Sequence, residues 1–187
     1  MLCAFAPLSG SVGADAAPSV ANEHTTIRTH ASVLQIRAAR EFQRERIGRA
    51  DAKRRYWLRV MDRPLPPPVG GLGRLELHQL KRAADWQWIR ARMLARLAHR
   101  PPHLSAWRCI QSYESGGSWH INTGNGYYGG LQMDVGFQLS YAPWLYRQKG
   151  TAEHWTPLEQ MWTAERAHSS GRGFTPWPNT ARACGLL

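Results

Sequence analysis

Between Asp62 and Gly73 the chain reads DRPLPPPVGGLG, and no regular helix can run through it. Pro64, Pro66, Pro67 and Pro68 lack the N–H that a helix uses, and Gly70, Gly71 and Gly73 add backbone freedom. The residues on either side are helix formers. From about Thr25 to Val60, Leu34, Ala38 and Phe42 recur at helical spacing, which predicts one long surface helix or two shorter ones with a thin apolar stripe. Glu41 and Glu45, set among arginines, suit pairing one turn apart. From about Leu75 to His99 a second helix is predicted. Ile89, Met93 and Leu97 form its stripe, Leu77, Leu80 and Ala84 precede them, and arginines take the opposite face. Such a stripe is expected to pack on its own domain, although a basic amphipathic helix also suits a membrane or a partner. Pro101 and Pro102 end this helix. The resulting organisation is a leader or disordered segment at 1–23, a basic helical extension at 24–62, a Pro/Gly linker at 63–74, a basic amphipathic helix at 75–100 and a compact domain at 101–187.

Charge separates the same regions. The formal net charge is +11, and nearly all of it falls in residues 1–100. A basic half of this kind suits an anionic wall polymer or a membrane surface, and equally a solvated extension with no partner. Nucleic acid ranks last, because 1–100 carries no recognised nucleic-acid motif. No run approaches the roughly 18 apolar residues of a membrane span. The N-terminus has a short apolar stretch and a cleavage-like Ala14-Asp15-Ala16, with no basic residue before them. It reads as the remnant of a signal peptide or as a disordered leader. The cysteines are Cys3, Cys109 and Cys184, with no CxxC pair to hold zinc. Cys109 and Cys184 are either a bridge stapling the tail to the domain's first helix, which needs an oxidising compartment, or two free buried thiols.

Within 101–187 the local signals are dense. A helix from about Leu104 to Glu114 places Trp107, Ile110 and Tyr113/Glu114 on one face, and Gly116-Gly117 breaks it. Asn125-Gly126, between Ile121 and Tyr127-Tyr128, predicts a tight hairpin. Asp134 can cap a helix over Val135–Tyr141. Thr156-Pro157-Leu158-Glu159 is a strong helix start, and that helix is expected to bury Leu158, Met161 and Trp162. Trp144, Trp155, Trp162 and Trp177 are expected in the core, Glu165 and Arg166 as a solvated pair, and His120, His154 and His168 in surface or capping roles.

The segment with chemical promise is Glu114-Ser115-Gly116-Gly117-Ser118-Trp119, followed by Ile121-Asn122-Thr123-Gly124-Asn125-Gly126-Tyr127-Tyr128-Gly129-Gly130-Leu131-Gln132. A carboxylate at a helix C-terminus is electrostatically unfavourable, so its position calls for a reason. Proton delivery to a glycosidic oxygen near neutral pH requires a carboxyl whose pKa is raised by burial. Trp107, Ile110, Tyr113 and Trp119 are the residues available to build such a pocket.

Over roughly 105–184 these residues resemble the resuscitation-promoting factor domain and the wider transglycosylase-like, lysozyme-superfamily domains of secreted bacterial wall enzymes. The resemblance implies a small, mostly α (α+β) lysozyme-like domain with a short β-hairpin. It implies Glu114 as catalytic acid and a substrate cleft lined by Tyr127, Tyr128 and Gln132, to which Trp119 and Thr123 are added as further substrate contacts. The family pattern has a cysteine just before the glutamate; here Tyr113 stands there and Cys109 lies one turn earlier, still able to reach Cys184. Phe137 stands where the family has a hydroxyl-rich stretch.

The expected substrate is the peptidoglycan glycan strand, cut between N-acetylmuramic acid and N-acetylglucosamine, with no metal and no organic cofactor. Two-carboxylate glycosidases place their acids about 5–9.5 Å apart, and Asp134, the nearest other acid in sequence, reads better as a helix cap. A lone Glu114 would serve as acid and then base. Single-glutamate members of the superfamily use the substrate's own hydroxyl and release a 1,6-anhydro sugar, so lytic transglycosylation is expected over hydrolysis. The alternative is a non-catalytic wall-binding module. Either implies a secreted or wall-associated protein.

Overall fold

The computed structural model describes residues 20–187; residues 1–19, most of the expected leader, lie outside it together with Cys3. The chain is mostly helical. Its described elements run α1 (Val20–Val60), α2 (Leu77–Ala98), α3 (Leu104–Ser115), β1 (Tyr127–Tyr128), β2 (Met133–Asp134), α4 (Val135–Tyr141), α5 (Pro143–Lys149), α6 (Pro157–Ala167) and α7 (Pro178–Ala183), with short 3₁₀ and π turns between them.

α1 is one uninterrupted helix of 41 residues. The Pro/Gly stretch after it runs back along α1 in extended form. Arg55 donates to the Pro66 carbonyl (2.6 Å) and Arg40 to the Leu75 carbonyl (2.8 Å), while Val69, Leu72 and Leu75 pack against Ile47. α2 then starts beside the middle of α1 and lies parallel to it. Ile47 meets Leu80 and Ala84, Arg46 meets Asp85 (3.0 Å), and Val60 meets Ala98. Extended proline-rich backbone rises about 3.1 Å per residue against 1.5 Å in a helix, so a short segment suffices for the return.

The α1 stripe read from sequence is corrected; of the α2 stripe, Leu80 and Ala84 are buried as expected, whereas Ile89, Met93 and Leu97 are not. Leu34 and Phe42 of α1 are exposed, and α1 buries Gln43, Ile47, Ala50, Asp51, Arg54 and Val60 instead. On α2 the inward residues are Leu80, Ala84, Ala91 and Ala98, and the large residues Ile89, Met93 and Leu97 face outward. Small side chains allow the two helices to approach closely, and this outweighs the greater apolar area of Ile, Met and Leu. Arg54 and Asp51, both buried at this seam, pair at 2.6 Å.

The helix pair docks on the domain through α6. Trp162 Nε1 donates to the Ala98 carbonyl (2.8 Å), and Val60, Met61, Ala98 and Trp162 form an apolar cluster. Arg166 donates to the carbonyls of Arg59 (2.8 Å) and Val60 (2.7 Å), closing the C-terminus of α1. The expected solvated Glu165–Arg166 pair is therefore absent. Glu165 is buried and turned to the other side of α6. Helix periodicity puts these neighbours about 100° apart, so they serve two interfaces.

α6 starts as predicted: Thr156 Oγ1 accepts from Glu159 N, and Glu159 reaches back to Thr156 N in a capping box. Glu159 is also the ionic centre of the docking seam. It is 0% exposed, takes both bonds from Lys149 Nζ (2.7 and 2.8 Å) and accepts from Tyr56 Oη (2.9 Å). Burial pushes its carboxyl up, but Lys149, the Thr156 N–H and Tyr56 outweigh it and hold the carboxyl below its usual 4.5. A carboxylate depressed in the folded state contributes stability at pH values above 4.5 and loses it as pH falls through the folded value. Lys149→Met is expected to destabilise the protein by about 3 kcal/mol at neutral pH, because it leaves a buried charge unpaired. The deficit should shrink as pH falls through the depressed folded-state value and Glu159 becomes neutral; urea unfolding across an acid pH series measures it.

The main core lies between α3, α4, α5, α6 and α7, built on Trp107, Ile110, Leu131, Phe137, Leu145, Trp155 and Trp177. Trp155, Trp162 and Trp177 are buried, as expected, and Trp144 is half-buried against the core.

Candidate active site

α3 runs to Ser115 and stops at Gly116, whose φ of 58° is left-handed and favours glycine. Glu114 thus sits on the last turn of α3, at the edge of the domain and half-buried. Its Oε1 accepts from Thr180 Oγ1 of α7 at 2.8 Å. Its Oε2 has no hydrogen-bond partner among the described residues. Tyr113 is 62% exposed, so it does not form the apolar wall expected of it. Four residues before Ser115 on the same face, Gln111 is buried and Ser115 Oγ donates to its carbonyl (2.8 Å).

Cys109 is bonded to Cys184, which fixes α7 against α3. The bridge supplies the geometry that places Thr180 beside Glu114. Trp177, at the N-cap of α7, adds a second anchor by donating Nε1 to the Leu131 carbonyl (2.6 Å).

The segment after Glu114 forms two successive turns rather than one hairpin. At the first, Asn122 bridges Tyr128, and Asn125 Oδ1 accepts from Tyr127 N (3.0 Å) around the predicted Asn125-Gly126 turn. The regular ladder, however, is β1 with β2, in the register Tyr127↔Asp134 and Tyr128↔Met133. Its turn is Gly129-Gly130-Leu131-Gln132. Gly129 has φ +73°, and a Cβ there would lie 2.5 Å from Gln160 Oε1. Gln132 adopts a positive φ of 46°, rare for a side-chain-bearing residue, and donates Nε2 to the Gly129 carbonyl (2.9 Å).

Gln160, invisible as a site residue in the sequence, holds this wall in place. It is fully buried; its Oε1 accepts from Gly130 N (2.8 Å), and its Nε2 donates to the carbonyls of Trp119 (2.8 Å) and Ala152 (2.9 Å). Gln160→Ala is expected to cost about 3 kcal/mol, since it removes several buried hydrogen bonds and leaves a cavity beside Gly129 and Gly130. Guanidinium unfolding measures this.

Tyr127 and Gln132 line a hollow of about 240 Å³ with Asp134, Phe137, Arg172 and Trp177. Glu114 is not among the residues that line this hollow; its link to it is Thr180 of α7, which stands one turn beyond Trp177 with its hydroxyl also 3.3 Å from the Trp177 carbonyl. Trp119 is half-buried behind Gly130, and Tyr128 is half-buried on the ladder. Thr123 is exposed on the first turn, next to Asn122, which donates to Glu153 Oε1 (2.9 Å). These three do not line the hollow. Arg172, the one cation on the hollow's lining among the described residues, was not singled out in the sequence; its guanidinium lies 5.9 Å from the Phe137 ring centre.

The domain's other carboxylates have structural duties. Asp134 caps α4, accepting from Phe137 N at 2.7 Å. Glu153 accepts from Asn122 and from Thr151 Oγ1 (2.8 Å). Glu165 takes His103 N (2.7 Å) and Trp107 Nε1 (2.8 Å) on one oxygen and His103 Nδ1 (2.9 Å) on the other. His168 stacks on His103 at 4.0 Å, and burial, then the neighbouring His103, lowers its pKa. The ligating atoms of His103, Glu165 and His168 lie within 4.8 Å of one another. With both Glu165 oxygens already held by N–H donors, the group acts as a staple between α3 and α6.

Residues 102–180 match the family model described as a transglycosylase-like domain. Among curated proteins, the chain is similar to resuscitation-promoting factor Rpf1 of Corynebacterium glutamicum, 38% identical over 85 residues that cover 44% of this chain and 41% of that protein. It is 40% identical over 76 residues to resuscitation-promoting factor RpfE of Mycobacterium tuberculosis, covering 41% of each. It is 34% identical over 91 residues to RpfC of the same species, 48% of this chain and 59% of that protein. The chain thus spans about two fifths of the length of the first two relatives. The resemblance to a resuscitation-promoting factor, lysozyme-like domain is upheld, and so are the mostly α fold and its short antiparallel pair.

Proposed function

We propose that the 101–187 domain cleaves the peptidoglycan glycan strand between N-acetylmuramic acid and N-acetylglucosamine, with Glu114 as the single acid and base. The observation that carries this reading is the division of labour among the carboxylates. Asp134, Glu153, Glu159 and Glu165 each hold the donors of a cap, turn or staple, whereas Glu114, at the end of α3, is held only by the Thr180 hydroxyl and has no such duty.

In the proposed reaction Glu114 gives its proton to the glycosidic oxygen as the bond from the muramic C1 breaks. The resulting carboxylate then takes the proton of the muramic 6-hydroxyl as that oxygen bonds to C1, closing a 1,6-anhydro ring and restoring the acid. Water in place of the 6-hydroxyl would give hydrolysis. Asp134 caps α4 through Oδ1, and with that carboxylate read as a cap the anhydro route is favoured. Thr180 orients the carboxyl, and Tyr127, Gln132 and Arg172 offer a stacking face, an amide and a cation to the strand. Such an activity belongs outside the membrane, in an oxidising compartment where the Cys109–Cys184 bridge persists.

The test is to incubate the full chain and its Glu114→Gln variant with purified peptidoglycan and read the soluble products by mass spectrometry. Anhydro-muropeptides from the wild type alone are expected. Reducing-end products would make the enzyme a hydrolase. Binding without release by a folded wild type would leave a glycan-binding module.

A further inference from the structure

We propose that the outward face of α2 seats this protein on an anionic phospholipid surface. Trp86, Ile89, Met93 and Leu97 follow one another along a single face at helical spacing, and they are 65%, 45%, 62% and 43% exposed. The opposite face is spent on Leu80, Ala84, Ala91 and Ala98 against α1 and the domain, and none of the described residues covers the outer stripe. One bulky apolar side chain at the surface is ordinary; four in register on one helix mark a contact.

The surroundings of the stripe identify the occupant. Arg82, Arg90, Arg96 and Arg100 flank it, and none of them pairs with a carboxylate among the described residues. The one acid within α2, Asp85, is turned to Arg46 of α1. The stripe also borders a groove of about 400 Å³ between the helices, whose lining includes Phe42, Ile89, Arg46, Arg49, Arg92 and the Arg46-paired Asp85. A tryptophan with aliphatic neighbours, rimmed by arginines whose stems can lie along apolar surface, fits the headgroup boundary of a bilayer. α2 is too polar to cross: no described helix is long and apolar enough to span a membrane. It would lie in the plane of the surface. A soluble polyanion would use the arginines but leave the stripe exposed to water. This inference stands independently of turnover at Glu114.

The full chain is mixed with sedimentable vesicles of phosphatidylcholine alone or with phosphatidylglycerol, and the bound fraction is measured. Binding is expected only with phosphatidylglycerol. Trp86→Ser with Met93→Ser should weaken it at least tenfold, and Arg90→Glu with Arg96→Glu by more than tenfold. Both pairs are exposed, so the melting temperature should not move, and circular dichroism checks this. No vesicle binding, or binding that survives loss of Trp86 and Met93, overturns the proposal. So does a lipid-free dimer that the same double substitution dissociates, which would assign the face to a second copy.

Discussion

Glu114→Gln is expected to lower the release of soluble muropeptides by about a hundredfold or more while leaving the fold intact. A positioned acid or base typically contributes 10²–10⁴-fold, and here one group would act in both halves of the reaction. Glutamine keeps the size of the side chain and an oxygen able to accept the Thr180 hydroxyl, now 2.8 Å from Glu114 Oε1. It has no proton to give to a leaving alkoxide. Melting temperature should change by no more than a degree or two, and binding to insoluble peptidoglycan should persist. Thr180→Val tests the orientation separately. It should cost about 1 kcal/mol in stability and a smaller factor in rate than Glu114→Gln. Turnover by Glu114→Gln near the wild-type rate would remove Glu114 from the chemistry.

The second large effect is expected on removing the bridge. Cys109 and Cys184 are 75 residues apart, and closing a loop of that size restricts the unfolded chain enough to stabilise the fold by about 4 kcal/mol. α7 has only six residues, far below the length at which an isolated helix persists in water. It depends on Trp177, on the burial of Ala181 and on the bridge. Cys109→Ser with Cys184→Ser should therefore shift the urea midpoint and also impair activity, since α7 carries Thr180. Reductant should reproduce both effects in the wild type and add nothing to the variant. An unchanged midpoint would show that Trp177 and Ala181 hold α7 by themselves.

These residues show where sequence is informative. Elements whose start is decided by nearby atoms were legible: the Asp134 cap of α4 and the Thr156–Glu159 box of α6 need only three or four residues to specify them. Glu114 was legible as a candidate through the pattern of residues around it. The inward face of α1 was not, and that of α2 was legible only at Leu80 and Ala84. Beyond Ala84, α2 has an inner face of alanines and an outer face of large residues, and apolar area alone points to the wrong one. The choice is made by close helix approach, a property of two segments at once. Thr180 and Gln160 were missed for the same reason, since each acts on a partner distant in sequence. The ladder turn was displaced because Asn125-Gly126 is a genuine turn, but Gly129 and Gly130 fit beneath Trp119 and Gln160 and take the regular pairing.

The hydroxyl that orients Glu114 lies 66 residues further along the chain, and Gln160, which holds the facing wall, also comes later. At elongation rates of about 5–20 residues per second, Glu114 exists for roughly 3–13 s before Thr180 is synthesised at all. During synthesis the growing polypeptide therefore carries a carboxylate without its setting. The order of translation thus leaves the site proposed at Glu114 unassembled until α7 has been made.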